Sequence, residues 1–545
     1  MSRGTLGATQ RGWQLASLVL SLAISVPMVA VVWSLVAPGE TEWLHIRSVL
    51  LPELVQNTFL LMLQVAAYCL VIGVGTAWLT AATAFPGRRG LTWALTLPLA
   101  LPAYITAYVY TDLLEFSGPV QTGLRSALGW SPDTFRFPEI RSLPGAALVM
   151  SLSLYPYVYL LARGAFLQRS VRLFEAARTL KATPSQAFFR VALPSARASI
   201  AGGLSLVLME TLADFGVVEY FGVPTFSTGI FRTWFATGDK LAAMKLGAVM
   251  FTMVVVLVVA ERRSRREGRP SSLDAEGSFQ PMQLHGVRAL GATAACLLPV
   301  VLGCALPIFV LAQMAWTHGD PLWGTEFISF VKNSVAVAVG ASVVAVGAAL
   351  VLTYAQHSAA HWSTNVAVQI STLGYALPGT MLAVGLLPPL SFVDRGLAEF
   401  AESQLGWRTG LILTGTVTIL IYAYVTRFLT VAFNTTASAI TRIPREYDHA
   451  ARSLGATPSQ VLRRIHLPLM RRALFTAGLL VFVDTMRELP ATLILRPFIF
   501  ETLATRVYRL AADERLSEAS TAALRIVLIG LVPVLLLNRQ VGRRS

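Results

Sequence analysis

Four carboxylates stand inside apolar runs at a fixed repeat. Glu210 and Asp214 lie in one run, Asp484 and Glu488 in another, and an offset of 274 pairs Glu210 with Asp484, Thr211 with Thr485 and Asp214 with Glu488. Within each pair the acids are four residues apart, so they share one helix face. Ionisable groups in such surroundings are costly and face a bundle interior or an aqueous path. Two chemistries are open. Glu210, Asp214, Asp484, Arg487 and Glu488 could line a pathway for a cation, or Arg487 could pair structurally with Asp484 or Glu488.

Other chemistry is missing. A phosphate-cradling loop needs Gly-x-x-x-x-Gly-Lys-Ser/Thr. The four lysines follow Leu180, Asp239, Met244 and Val331, so no Gly-Lys pair exists and the chain is expected to be no ATPase. No zinc-protease or serine-hydrolase motif stands out, no cofactor is expected, and no metal ligands can be assigned from spacing. Cys69, Cys296 and Cys304 each lie in an apolar run and read as small core residues. His449 and His466, two of seven histidines, fall in a polar loop.

The elements that position these residues follow from composition. In 545 residues, 54% are apolar and 13% charged, against about 25% charge in soluble domains. That composition excludes a soluble globule and a disordered chain, and leaves an all-α polytopic membrane protein. Twelve apolar runs are long enough to span: 15–37, 55–82, 91–112, 145–162, 198–220, 242–260, 289–315, 333–356, 366–388, 410–430, 473–495 and 521–538. The first is 23 residues long without a small-residue cleavage pattern, so it reads as a span and not a leader. The net charge of +15 is the basic excess of cytoplasmic loops, not a nucleic-acid surface. Segments 163–197 and 261–288 hold seven and six basic residues. An even span count then places both termini in the cytoplasm.

Two of the polar loops are copies. Residues 175–194 and 449–468 share twelve of twenty positions at the same offset of 274, which marks a duplicated six-helix unit. The expected domains are a first half at 1–260 with its loop at 163–197, a basic linker at 261–288, and a second half at 289–545 with its loop at 431–472. Thr183-Pro184-Ser185-Gln186 and Thr457-Pro458-Ser459-Gln460 have the form of capping boxes with proline at the first helical position. Each loop should be a short helix, a break and a second short helix. Gly455 suits a left-handed residue at the break. Lys181, its counterpart, would be strained there by about 1 kcal/mol, so the first copy is expected to end differently. The second short helices carry Phe188, Phe189 and Val191, or Val461, Leu462 and Ile465. Such helices either pack on their own bundle or dock into a partner's groove, and two copies imply a twofold partner.

The loop resembles the signature loop of bacterial ABC-importer permeases, which reads Glu-Ala-Ala, three residues, Gly, nine residues, Ile, one residue, Leu-Pro. The first copy keeps Glu175, Ala176, Ala177, Leu193 and Pro194, with Lys181 in place of glycine and Val191 in place of isoleucine. The second keeps Ala450, Ala451, Gly455, Ile465, Leu467 and Pro468, with His449 in place of glutamate. Two fused copies look like the ferric-iron permeases of the binding-protein-dependent type, and Glu210-Thr-Leu-Ala-Asp-Phe-Gly resembles that branch too. The resemblance implies a multi-pass permease in a bacterial inner membrane that couples through these loops to two copies of a cytoplasmic ATPase. It implies iron(III) handed over by an extracytoplasmic binding protein. Thiamine, polyamine or phosphonate permeases share the architecture. A secondary transporter without an ATPase is the alternative of another class.

Overall fold

The computed structural model describes residues 8–38, 41–131, 137–167, 181, 183–266, 281–320, 324–358, 361–408 and 410–542. The chain is helical almost throughout. The one strand pairing among the described residues is a two-residue parallel bridge of Thr83–Ala84 with Met282–Gln283. Leu-, Val- and Ala-rich runs without water must satisfy each backbone group within the run, and helices alone do so segment by segment. Among the described residues eleven helices are long and apolar enough to span, and the bent pair Arg88–Ala100 and Ala103–Leu128, taken as one span, makes a twelfth.

Two compact units result, and neither is one half of the sequence. The first comprises Met1–Trp43, Ile230–Val249 and Leu322–Arg506; the second comprises Leu44–Gly229, Met250–Pro321 and Val507–Ser545. In the first unit, Thr325–Ser358, Val417–Ile440 and Leu467–Met486 pack together, and helix Ala8–Ser34 lies on Thr325–Ser358, Trp362–Ser371 and Gly379–Phe400. A β-carbon on Gly385 would stand 2.7 Å from the Pro27 carbonyl oxygen, so only glycine lets these backbones meet. Tyr422 donates its hydroxyl to the Ala23 carbonyl.

In the second unit, Leu51–Ala82, Leu143–Ala165 and Leu193–Ala213 form the equivalent three-helix core. They converge on Val158, which would lie 2.8 Å from a β-carbon on either Gly73 or Gly203. Small residues at such contacts replace the hydrophobic drive that lipid removes. Leu306–Thr317 packs on Leu516–Gly542, and Tyr110 donates to the Leu302 carbonyl at 2.7 Å.

Both copies break the span near their middle. Residues Leu97–Ala100 and Thr372–Ala376 are 3-10 turns, followed by extended Leu101 and Leu377 before Pro102 and Pro378. Proline disfavours the helical conformation in the residue before it. The expected span 91–112 is therefore bent by 93°. The expected span 366–388 is divided, and the apolar helix there is Gly379–Leu405.

Candidate functional site

The second loop is described in full. Helix Arg445–Ser453 ends in a reciprocal C-cap: Gly455 at φ +82° donates to the Arg452 carbonyl at 2.9 Å and Ala456 to the Ala451 carbonyl at 3.0 Å. Thr457 then caps the next helix. Its backbone N–H donates to Gln460 Oε1 at 2.8 Å, and the Gln460 N–H donates to Thr457 Oγ1 at 3.4 Å.

The first loop repeats this box between Thr183 and Gln186 at 3.1 and 3.3 Å. Lys181 takes the left-handed conformation at φ +66°, contrary to the expectation that its copy ends differently. The strain is accepted and the break geometry kept. Glu175, Ala176 and Ala177 lie outside the described residues.

The second short helix is not separate from the membrane. In both copies it runs through a π turn, Phe188–Ala192 or Leu462–His466, into the helix that begins at Leu193-Pro194 or Leu467-Pro468. The Leu193 and Leu467 N–H groups donate five residues back, to Phe188 and Leu462, and the following proline has no N–H to give. The spans expected at 198–220 and 473–495 accordingly start earlier, and they end at Ala213 and Met486.

The apolar residues divide between two environments. Val461 and Leu462 are buried, Leu462 against Tyr354, Ile440 and Met470; Phe188 packs on Trp78 at 4.8 Å. The helix Arg445–Ser453 and the turn after it are outward instead: Tyr447 and Leu454 are exposed, Leu454 at 88%, beside exposed Ala450 and half-buried Ala451. In the first copy's described part Phe189 and Leu167 are exposed. Ile465, Leu467 and Leu193 are half-buried, Pro468 and Pro194 exposed.

One residue of Arg445–Ser453 points inward. Asp448 Oδ1 lies 2.7 Å from His466 Nε2, and Oδ2 lies 2.6 Å from His357 Nε2. Burial pushes the Asp448 carboxyl up, but the hydrogen bonds and charge of the two imidazoles outweigh it, and its pKa falls below the ordinary value. The outward helix is thus held at a single polar point.

The paired acids sit where the re-entering helices stop. Asp214 Oδ2 accepts the N–H groups of Val217 and Val218 at 3.0 and 3.3 Å and so caps Gly216–Tyr220. Glu488 does the same for Pro490–Leu495, accepting from Ala491 at 3.0 Å and Thr492 at 3.1 Å. Glu488, buried, also pairs with half-buried Arg427 at 3.0 Å in a niche that Gly379 closes: a β-carbon there would lie 2.6 Å from either charged group. Arg487 joins Asp484 at 2.5 Å. Glu210 and Asp484 remain half-buried on the preceding turn. Sequence reading missed Arg427, Gly379, His357 and Asp448. Each acts across a long separation; the one available sign was an arginine inside the apolar run expected at 410–430.

Comparison with known proteins places this geometry. The family described as "Binding-protein-dependent transport system inner membrane component" matches residues 71–261 and again 291–545. The chain is 25% identical over 505 residues to the Fe(3+)-transport system permease protein FbpB 2 of Haemophilus influenzae, covering 89% of this chain and 90% of the relative. It is 23% identical over 440 residues to the putative ferric transport system permease protein FbpB 1 of the same organism, covering 76% and 65%. The molybdenum transport system permease protein ModB of Escherichia coli is 28% identical over 210 residues, 36% of this chain but 86% of ModB. A single-half relative thus aligns with about one copy of the repeat. With the family matched twice over most of its length, the chain belongs to the inner membrane components of binding-protein-dependent transport systems, in a fused two-half form.

Proposed function

We propose that this chain is the permease of an ATP-driven importer for iron(III), with both termini in the cytoplasm. The observation that carries the reading is the repeated loop: a left-handed residue, a capping box and a π turn at the same offset of 274 in both copies, with an amphipathic outward helix and exposed Leu454 fully described in the second. Two ATPase subunits dock there, one per copy, at Glu175, Ala176, Ala177 and Lys181 in the first and at Ala450, Ala451, Tyr447, Leu454 and Gly455 in the second. The halves 1–260 and 289–545 are the units of duplication, joined by 261–288, although the compact units draw helices from both.

The full-length resemblance to a protein named for Fe(3+) transport supports the cargo. Glu210 and Asp484 face the pathway, while Asp214, Glu488 and Arg487 hold the hinges where the helices stop. Closure of the ATPases would move each π-turn-linked helix as a lever and so favour one of two transport states.

The test is reconstitution of the chain with an ATPase and a binding protein from the same source. The expected outcome is ATP-dependent uptake of labelled iron(III). Uptake of labelled molybdate or sulfate without iron would replace the cargo, and uptake without ATP would replace the class.

A further inference from the structure

His357, Asp448 and His466 form a compact donor set. One ligand atom from each lies within 4.8 Å of the others. His466 is 1% exposed and Asp448 7%; the His357 side chain is 13% exposed and closes the rim. The three donors come from three segments: the end of Thr325–Ser358, the middle of Arg445–Ser453, and the π turn before Leu467. The segments are held together around the cluster by a Tyr354 hydroxyl that donates to the Pro458 carbonyl at 2.6 Å and by the edge-on stacking of His357 and His466 at 5.3 Å.

We propose that this cluster is a binding site for a divalent transition-metal ion, held by two imidazoles and one carboxylate, which clamps the second docking segment to its bundle. The site is separate from the cargo path, and its existence does not depend on which cargo is carried.

Three features of the geometry point to a metal. Both imidazoles present Nε2 to the same carboxylate, one to each oxygen. Two neutral imidazoles and one carboxylate form a donor set suited to zinc or ferrous iron, with a coordination position left for water. Metal–ligand bonds of about 2.0–2.2 Å in a tetrahedral site place donors roughly 3.3 Å apart. The observed N···O separations of 2.6 and 2.7 Å need to open by about 0.6–0.7 Å to reach that spacing. Binding at Nε2 leaves each neutral imidazole with its single proton on Nδ1 and the carboxylate ionised; an imidazole that starts as the doubly protonated cation gives its Nε2 proton to solvent, so charge and atoms balance without any other reactant.

The copies differ here. At the offset of 274, His466 answers to Ala192 and Asp448 to Phe174, so the donor set belongs to the second loop alone. An ion would stiffen one of two docking segments, and the helix it fixes is the outward one that carries Tyr447 and Leu454.

The experiment uses the full chain, purified in detergent by a tag without histidine and stripped with a chelator. Cobalt(II) is the probe, because a low-coordinate nitrogen–oxygen site gives visible d–d bands, and zinc(II) is the competitor. The expected result is one cobalt per chain, displaced by zinc. His357→Gln and His466→Gln should each weaken binding about a hundredfold or more, beyond what outer-shell changes cost. His285→Ala should leave binding unchanged. Zinc should also slow tryptic cleavage at exposed Arg445 and Arg452 in the wild type but not in His357→Gln. Failure of the wild-type chain to bind cobalt stoichiometrically overturns the proposal and leaves a proton-bridged His–Asp–His contact. Equal binding by the wild type and both variants overturns it as well, by placing the ion elsewhere. Neither result touches the importer reading, which rests on docking and uptake.

Discussion

Replacing Glu488 with alanine should destabilise this protein far more than replacing Asp214, its repeat counterpart. Both acids cap a helix after a break, and loss of a cap costs about 1 kcal/mol. Glu488 carries a second load. Its side chain is 2% exposed and pairs with Arg427, itself 11% exposed. Removing one partner of a buried pair strands the other charge, at about 3–5 kcal/mol. The expected losses are therefore about 4–6 kcal/mol for Glu488→Ala and about 1 kcal/mol for Asp214→Ala. At about 2–4 °C per kcal/mol for units of this size, the apparent melting temperature should fall by roughly 10 °C or more and by a few degrees. Intrinsic tryptophan fluorescence of the detergent-solubilised chain reads both. The double variant Arg427→Met, Glu488→Gln removes the stranded charge and keeps an oxygen for the cap, so it should regain most of the loss. Equal shifts for the two alanine variants, or a double variant worse than Glu488→Ala, would refute the reasoning.

Four further outcomes follow from the same geometry. Gly379→Ala puts a methyl within 2.6 Å of Arg427 and Glu488 and should cost about 1–3 kcal/mol by overpacking; an unchanged melting temperature would show the niche to be looser than drawn. Leu454→Asp, which alters an 88% exposed residue, should leave the fold intact and abolish co-purification with the ATPase, and retention of that partner would remove the docking assignment. Asp484→Asn should lower thermal stability, because it weakens the pair with Arg487 at 2.5 Å, and Glu210→Gln should reduce iron uptake; full uptake by the Glu210→Gln variant would take that acid off the pathway. The purified chain should hydrolyse no ATP by itself, and a phosphate-release assay that detects turnover would refute this.

The sequence made local structure legible because local structure is built from neighbours. The capping boxes at Thr183 and Thr457 and the left-handed Gly455 each involve partners within five residues, and all three are found. The pairing of Asp214 with Glu488 was visible as a repeat, but its use as a helix cap was not, since a hydropathy window reads composition and is blind to a helix stop. The same blindness joined 366 to 388 across Pro378. Contacts between distant segments left little sign beyond an arginine in an apolar run. Arg427 reaches Glu488 across 61 residues and His357 reaches Asp448 across 91. Some of the duplication is likewise only structural. The Phe226 and Leu503 N–H groups both donate to a hydroxyl on a distant helix, Thr58 at 3.3 Å and Ser334 at 2.8 Å. Threonine and serine there fill one role with two residues that no identity count pairs.

The two copies have kept their backbone and parted in chemistry. Both place a left-handed residue before the capping box, yet one does so with glycine and the other with Lys181 against a strain of about 1 kcal/mol. Both cap the helix after the hinge with a carboxylate, yet the second adds the buried Arg427 pair. The second anchors its outward helix through Asp448 to two imidazoles, where the first has Phe174 and Ala192 in place of Asp448 and His466. A permease assembled from two identical chains must make every residue serve both positions, because the symmetry repeats each substitution. Fusion lifts that constraint. Shared geometry at the left-handed residue, the box and the π turn is what two equivalent docking contacts would require under the proposed function. Divergence at Lys181, Arg427 and Asp448 is what one chain permits, and these are the positions where the halves should respond unequally to mutation.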